Sequence, residues 1–219
     1  IAPEGHRTFH GKTVYIKPTI ATLAKKLGMP IAIFRIEGGY GVQPRWSDCI
    51  RRGSMRGYVS RVIEPEEYAK LTPGALSAMI AEGLYVDENV ADGLFKSQKR
   101  AEYLERAMYV CPFCGLSTFE SNGDFIRCVK CGRRIRHLPS KELEGIGEPF
   151  PHRFVADWYD WQNDYIAGTD LSLLTEKPLD KITVTDVVSR ADINRGTFYA
   201  HYKDIPDVVD HLIQQTFSA

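Results

Sequence analysis

Residues 111–132 read Cys-Pro-Phe-Cys-Gly-Leu-Ser-Thr-Phe-Glu-Ser-Asn-Gly-Asp-Phe-Ile-Arg-Cys-Val-Lys-Cys-Gly. This stretch holds two Cys-x-x-Cys pairs separated by thirteen residues: Cys111, Cys114, Cys128 and Cys131. A glycine follows each pair, where a tight knuckle needs a permissive backbone, and Asn122-Gly123 is a strong hairpin signal. Two knuckles joined by a hairpin predict a zinc ribbon, in which the four thiolates hold one structural Zn²⁺ per chain.

Two other interpretations of the cysteines remain open at this stage, a pair of redox dithiols or plain core residues. The fifth cysteine, Cys49, stands alone, and an odd count argues against a disulfide framework. A closed set of four thiolates leaves no open metal position for catalysis. The basic residues around the ribbon could contact nucleic acid or lipid phosphate, or form a solvated basic face: Arg127, Lys130, Arg133, Arg134 and Arg136.

The bulk composition narrows the class of protein. The chain has 219 residues, 43% of them hydrophobic and 26% charged, with a formal net charge of zero, as in ordinary globular domains. Zero net charge gives no overall attraction to nucleic acid or anionic membrane, and no apolar run is long enough for a transmembrane helix. We expect a cytoplasmic protein, with peripheral contact at the inner face of the membrane allowed.

Hydrophobic periodicity predicts alternating helices and strands before the ribbon. A helix over residues 14–28, starting near Pro18 and ending at Gly28, is followed by a buried strand, Met29–Ile36, and a loop over 37–54. A second strand, Arg56–Ile63, precedes a helix capped by Thr72. The remaining expectations are a charged helix over 94–108, a linker over Pro139–Pro151 and a helix over Arg153–Leu174.

The first residues carry a recognisable motif. Ala2-Pro3-Glu4-Gly5-His6-Arg7-Thr8 resembles the phosphate-binding motif of the 1-acylglycerol-3-phosphate (lysophospholipid) acyltransferase family, usually Phe-Pro-Glu-Gly-Thr-Arg-Ser. The apolar strand that opens with Pro30, behind a helix, resembles the next block of that family. The resemblance covers about residues 1–90 and implies an α/β acyltransferase core that transfers an acyl group from a donor to a lysophosphatidate-like acceptor.

By this resemblance, Arg7 holds the phosphate of the acceptor, and Glu4 and Gly5 shape the loop. Arginine suits that role because its guanidinium offers paired donors and a permanent charge. The catalytic His-x4-Asp motif of the family lies upstream of this loop, and the chain does not contain it there, so we expect no turnover from these residues alone. His152 and Asp157 match the motif literally, but they follow the ribbon, and we do not assign them a catalytic role.

The end of the chain carries a second resemblance. Residues 171–217, which include Ala191-Asp-Ile-Asn-Arg-Gly-Thr-Phe-Tyr-Ala-His-Tyr-Lys203, resemble the DNA-binding head of tetracycline-repressor (TetR) family regulators. The resemblance implies an all-α helix-turn-helix whose second helix enters the major groove of double-stranded DNA. The residues that it assigns to DNA binding are Thr183, Arg195, Thr197, Tyr199, His201, Tyr202 and Lys203. From Gly168 onward, the sequence has five basic and eight acidic residues, so non-specific attraction to phosphate should be weak.

Together these patterns predict three segments. Residues 1–90 form an incomplete acyltransferase core of α/β class, 91–150 hold a helix, the zinc ribbon and a linker, and 151–219 are helical. The leading interpretation is a truncated glycerolipid acyltransferase fused to a TetR-like head. Two alternatives stay open, a TetR-family transcriptional regulator and an artefactual merger of two gene fragments.

Overall fold

The computed structural model describes residues 2–4, 7–168, 181–190 and 202–209. The chain divides into two compact units, residues 1–162 and 163–219. The first unit therefore contains both of the segments predicted as 1–90 and 91–150. Within the described ranges, no helix is both long enough and apolar enough to cross a bilayer.

The front of the first unit alternates helices and strands. Its elements are α1 (Thr19–Leu27), β1 (Ile31–Glu37), α2 (Gly39–Val42), β2 (Arg56–Ile63), α3 (Pro65–Ala69) and α4 (Pro73–Leu84). Capping residues determine where several of these helices begin or end. Gly28 ends α1 in the left-handed conformation, and the Thr72 hydroxyl accepts a hydrogen bond from the Ala75 N–H at the start of α4. The predicted helix start near Pro18 and helix end at Gly28 are confirmed, and the predicted loop over 37–54 contains the short α2.

Strands β1 and β2 form an antiparallel two-stranded sheet with an irregularity between Ile33 and Phe34. One side of this sheet packs on the helices around a core of Ala21, Ile33, Ile63, Tyr68, Leu76 and Ile80. On β1, Phe34 and Ile36 are more than half exposed. This alternation of buried and exposed side chains follows from the two-residue period of a strand.

The four-cysteine ribbon, residues 110–145, is built from short antiparallel strands. They are β3 (Val110–Cys111), β4 (Gly115–Leu116), β5 (Phe119–Asn122), β6 (Phe125–Cys128), β7 (Arg134–His137) and β8 (Leu143–Gly145). Strands β5 to β8 lie side by side in chain order, and β3 pairs with β4. Helix α5 (Val155–Ala167) follows the ribbon. The ribbon core contains Trp46 from the front of the unit, together with Ile126, Ile135 and Trp158.

The charged helix predicted over 94–108 is wrong. Within that stretch the structure has a single 3₁₀ turn, Leu104–Arg106. The backbone of Phe95 and Lys96 instead hydrogen-bonds to Pro139 and Arg52, far away in the chain. Phe95 is 1% exposed, and its ring fills the space beside three glycines, Gly41, Gly53 and Gly93. Burial of this ring and the non-local hydrogen bonds outweigh the helical pattern, whose propensity is worth only tenths of a kcal/mol per residue.

The linker predicted over Pro139–Pro151 is also wrong. Strand β8 lies in this stretch and pairs with β7. Lys141 is 2% exposed, and its ammonium group donates to the carbonyl oxygens of Glu88 and Ala91 at 2.5 Å each. A buried ammonium group needs such partners, so this segment is an ordered part of the unit.

In the second unit the structure describes two short helical stretches beyond α5. Helix α6 spans Val184–Arg190, and residues 205–209 are helical. The predicted helix over Arg153–Leu174 corresponds to α5, and its residues after Gly168 lie outside the described part of the chain.

The close packing of Phe95 leads to a stability prediction for Gly41→Ala. A Cβ atom at Gly41 would lie 2.3 Å from the Phe95 ring, whereas a Cβ at Gly74 would have no atom within 4 Å. We expect Gly41→Ala to lower the free energy of unfolding by about 1–3 kcal/mol, because overpacking shifts neighbouring groups. Urea denaturation can be followed by tryptophan fluorescence, since Trp46, Trp158 and Trp161 all belong to the first unit.

The control for this experiment is Gly74→Ala, which should leave stability unchanged or raise it slightly, since alanine favours a helix. Equal stability of the Gly41→Ala variant and the wild type would contradict the packing described here.

Candidate functional site

The two cysteine knuckles are shaped by backbone hydrogen bonds and glycines. In the first knuckle, the Cys114 N–H donates to the Cys111 carbonyl at 3.3 Å, and Gly115 has a φ of 78°. In the second, the Gly132 N–H donates to the Cys128 carbonyl at 2.9 Å, and Gly132 has a φ of 74°. Positive φ values explain why glycine follows each pair, since other residues rarely adopt this conformation.

The knuckles bring the four predicted cysteines together. The Sγ atoms of Cys111, Cys114, Cys128 and Cys131 all lie within 4.8 Å of one another. Two of the separations are 3.7 Å, for Cys111 and Cys131, and 3.6 Å, for Cys114 and Cys128. In a tetrahedral site with Zn–S bonds of about 2.3 Å, two sulfur ligands lie about 3.8 Å apart. The donor set therefore fits a tetrahedrally bound metal ion, and all five cysteines of the chain are free thiols.

The surroundings affect the ionisation of these thiols differently. Burial raises the pKa of Cys111 and of Cys114. Burial also opposes ionisation of Cys128, but hydrogen bonds from the Ser117 hydroxyl and from Cys131 outweigh it and lower its pKa to about 6. A thiolate, not a thiol, is the metal ligand, so Cys128 is already suited to that role.

The hairpin of the ribbon is confirmed, with its turn one residue later than the Asn122-Gly123 signal. Asn122 pairs with Phe125, so Gly123 and Asp124 form the two-residue turn. The Asp124 carboxylate accepts a 2.6 Å bond from the Arg100 guanidinium. The Ala101 N–H also donates to the Gly123 carbonyl at 2.9 Å. The hairpin tip is thus attached to residues that precede the ribbon.

The basic residues around the ribbon are largely paired with acids. Arg127 bonds to Glu120 at 2.6 Å, Arg133 contacts Glu148, and Arg136 lies 3.6 Å from Asp124 and from Glu144. The guanidinium groups of Arg134 and Arg136 lie 4.5 and 4.8 Å from the centre of the Phe125 ring. Exposed ion pairs of this kind contribute little to stability and reduce the net positive charge of this face.

The described residues of the predicted phosphate loop make several hydrogen bonds. The Glu4 carboxylate accepts from the Val14 N–H at 3.4 Å, and the Thr8 hydroxyl accepts from the Gly11 N–H at 3.1 Å. Arg7 is exposed, and its guanidinium donates to the Gln43 carbonyl at 3.1 Å. Gly5 lies outside the described residues.

The structure places a second arginine beside Arg7 that the sequence patterns did not single out. The guanidinium of Arg45 donates to the Arg7 carbonyl at 2.9 Å and lies 4.5 Å from the centre of the Phe9 ring. Arg45 and Arg7 are 38 positions apart in the chain. The only local signal is the unusual Pro-Arg-Trp sequence at residues 44–46.

The literal His-x4-Asp match has structural partners. The Asp157 carboxylate accepts from the Phe154 N–H at 2.9 Å at the start of α5. The His152 ring lies 5.5 Å from the ring of Phe150 and 5.3 Å from that of Trp161, and burial lowers its pKa.

Among the residues assigned to DNA binding, the structure describes Thr183, Tyr202 and Lys203. The Thr183 hydroxyl accepts from the Asp186 N–H at 3.2 Å, and the Asp186 carboxylate accepts from the Thr183 N–H at 2.8 Å. This reciprocal pair caps α6. Lys203 is exposed and Tyr202 half-buried. The other four residues assigned to DNA binding lie outside the described part of the chain: Arg195, Thr197, Tyr199 and His201.

Comparisons with known proteins assign the chain to no family. No family model matches the chain, and neither the curated proteins nor the solved structures compared with it show a match.

The cysteine cluster leads to a prediction for Cys128→Ser. Serine is a poor ligand for a soft metal ion, so this variant should lose most of its bound metal, while the matched variant Cys49→Ser should keep it. Metal analysis of fresh, reduced protein should find about one ion per chain in the wild type and in Cys49→Ser. Equal metal content in all three proteins would contradict the four-cysteine site.

Proposed function

We propose that this chain binds the acceptor of a glycerolipid acyltransfer reaction, and that one structural zinc ion stabilises the ribbon of the same unit. One observation carries the first part of the proposal. Arg7 is exposed and donates to the Gln43 carbonyl, and the described residues near it in the chain, Glu4 and Thr8, each accept a hydrogen bond from a backbone N–H. A side chain whose position is restricted before a ligand binds lowers the entropy cost of binding.

The chemistry of Arg7 suits the phosphate of a lysophosphatidate-like acceptor. A guanidinium is always charged at physiological pH and can present two parallel N–H donors to phosphate oxygens. Glu4 acts on the loop, because its carboxylate holds the Val14 backbone. Gly5 would let the backbone approach the head group closely. The acyl donor is the second substrate of this class of reaction.

Zinc is the ion that best matches four thiolates within 4.8 Å of one another. A bound zinc would join the two knuckles, and its role would be structural because four protein ligands complete a tetrahedron. The metal analysis described above tests this identity, and less than about half an equivalent of zinc in fresh, reduced protein would contradict it.

The acceptor-binding proposal leads to a prediction for Arg7→Ala. Loss of the guanidinium should weaken binding of a soluble hexanoyl lysophosphatidate by about tenfold to a hundredfold, because a charge-assisted hydrogen bond contributes about 1.5–3 kcal/mol. Isothermal titration calorimetry on the whole zinc-loaded chain measures this change.

The charge-matched control is Arg127→Ala, which removes an exposed, ion-paired guanidinium from the ribbon. It should bind the lipid as the wild type does. An undetectable interaction with the wild type, or equal affinity of the wild type and Arg7→Ala, would rule out the proposed function.

A second candidate function, DNA binding by the end of the chain, is supported by the capping of α6 and by the helical residues 205–209. The Asp207 N–H donates to the Asp204 carboxylate at 2.9 Å, so this second helical stretch is also capped. Two capped helical stretches flank residues 191–201, where the resemblance puts the second helix of a helix-turn-helix. Binding would then need Tyr202 and Lys203 to contact phosphate just past that helix.

This candidate predicts that the chain enriches palindromic duplexes from a random DNA pool and binds them less tightly as salt rises. Lys203→Ala should weaken binding to all duplexes similarly and reduce the salt slope by about 1, as expected for one phosphate contact. The ribbon variant Lys130→Ala serves as the control. If no sequence is enriched, or if Lys203→Ala behaves as the wild type, DNA binding by this segment is excluded.

A further inference from the structure

We propose that His137 is an acid-sensitive latch inside the first unit: its neutral imidazole lets the hairpin end of the ribbon stay packed, and its protonation opens that end. The contacts that open join residues 95–101 to the ribbon residues 123–139, and they are named the hairpin seam below. This inference does not rest on the proposed function, because it concerns the interior of the unit and not the acceptor loop.

The hairpin seam is made of backbone and guanidinium hydrogen bonds. The Ala101 N–H donates to the Gly123 carbonyl at 2.9 Å, and Ala101 is fully buried. The Arg100 guanidinium donates to the backbone carbonyl of His137 at 2.8 Å and to the Asp124 carboxylate at 2.6 Å. Loss of these bonds would detach the hairpin tip and the end of β7 from the segment that precedes the ribbon.

The His137 side chain lies in the interior of this seam. The residue is 1% exposed, and its ring centre lies 5.9 Å from that of Trp46. Its Nδ1 atom is 3.1 Å from the Leu138 carbonyl oxygen, and a carbonyl oxygen can only accept, so Nδ1 carries the proton of the neutral ring. The Nε2 atom is then the unprotonated nitrogen, and among the described residues it has no hydrogen-bond partner.

Protonation would place a second N–H on His137 where the interior is short of acceptors. The Nε2 atom is buried, so a proton there would become a donor without an acceptor among the described residues. The Nε atom of Arg51 is in the same condition in this interior. Leaving a buried donor without an acceptor costs about 1–3 kcal/mol, and more when the donor is charged.

Charge adds to this cost. Arg51 is 1% exposed and donates to the carbonyl oxygens of Gly41 and Arg100, which are dipoles and not charges. Burial of the His137 ring, reinforced by the charges of Arg51 and Arg100, lowers its pKa well below the ordinary value. An imidazolium in the closed seam would therefore be a further cation beside buried cations.

The acids around the ring already compensate other cations. The Asp124 carboxylate from the hairpin turn lies 2.6 Å from Arg100 and 3.6 Å from Arg136, and Glu144 on β8 lies 3.6 Å from Arg136. Glu142, before β8, bonds to Arg153 at 2.8 Å. The charged and titratable groups that surround His137 are Arg51 and Tyr40 from the front, Arg100 from the preceding segment, Asp124 from the turn, Arg136 from β7, and Lys141, Glu142 and Glu144 from the end of the ribbon.

The direction of the pH effect follows from these contacts. In the open seam the imidazole is hydrated and takes up a proton near pH 6.5, whereas in the closed seam it stays neutral well below that pH. The open state thus binds more protons at acid pH. The stability that His137 contributes is fully present above about pH 6.5 and is lost as the pH falls from there toward the pKa of the closed seam.

Hydrogen exchange of single amides, followed by NMR on the whole zinc-loaded chain, tests the latch at pH 7.5 and pH 5.0. After correction for intrinsic exchange, the opening constant of the Ala101 amide should rise about tenfold to thirtyfold at the lower pH. The matched amide is that of Leu76, which donates to the Thr72 carbonyl at 3.0 Å in the core of the front. Its opening constant should rise much less, and an equal rise at both amides would show that acid acts on the whole unit and would overturn the latch.

The variant His137→Asn keeps a donor for the Leu138 carbonyl but cannot take up a proton. Its seam should open more readily than that of the wild type at both pH values, with a change between them of less than about threefold. His152→Asn removes another partly buried histidine and should keep the wild-type pH dependence. If His137→Asn keeps the wild-type dependence, or if His152→Asn loses it, the latch is wrong.

Two further measurements keep the result decisive. Long-range ¹H–¹⁵N correlation spectra of the wild type report the protonation of His137 directly, without any substitution, and should show a neutral ring with its proton on Nδ1 at pH 5.0. Titration of His137 near pH 6.5 in the folded chain would overturn the latch even if His137→Asn did not fold. A colorimetric zinc indicator follows metal release in the same samples, and zinc loss that accompanies the same amide opening in wild type and in His137→Asn would assign the acid sensitivity to the cysteines instead.

Discussion

The stacking of Arg51 on Trp46 in the interior links the two halves of the first unit. The indole belongs to the ribbon core, and the guanidinium, 1% exposed, donates to the Arg100 carbonyl at 2.5 Å. Arg100 in turn bonds to the carbonyl of His137 and to Asp124 at the hairpin tip. Burial lowers the pKa of Arg51 to about 10, which is still high enough to keep it charged. Burying a cation costs free energy unless it has hydrogen-bond partners, so these contacts offset part of the cost of burying Arg51.

The ribbon is thus held at both ends by different interactions. At one end, backbone bonds and glycines bring four sulfur atoms together, and at the other end Arg100 holds the hairpin. Between the cysteine cluster and the hairpin tip, most arginines on the ribbon surface form ion pairs with carboxylates. The surface therefore offers little net attraction for a polyanion, and this supports a structural role for the ribbon.

Recognition in the proposed function depends on loops rather than on the regular elements. Arg7 and Arg45 are both exposed, and the two chain neighbours of Arg45, Pro44 and Trp46, are buried. Loops held by a rigid scaffold are a common place for binding residues. The second unit differs from the first because its described helical stretches are short and owe their ends to capping residues. Its sequence carries more acidic than basic residues, so any DNA binding there would rely on specific contacts.

The sequence by itself determined the features that depend on neighbouring residues. The cysteine pairs and their glycines, the helix end at Gly28, and the cap at Thr72 were all visible as local patterns, because a few adjacent residues set the backbone angles and hydrogen bonds. The tertiary structure alone decided what depends on distant partners. A helical pattern over 94–108 gave way to an irregular segment with one 3₁₀ turn because Phe95 is buried against distant glycines, and Arg45 bonds to the Arg7 carbonyl across 38 positions. Such contacts depend on how the whole chain packs, and no short window of sequence contains that information.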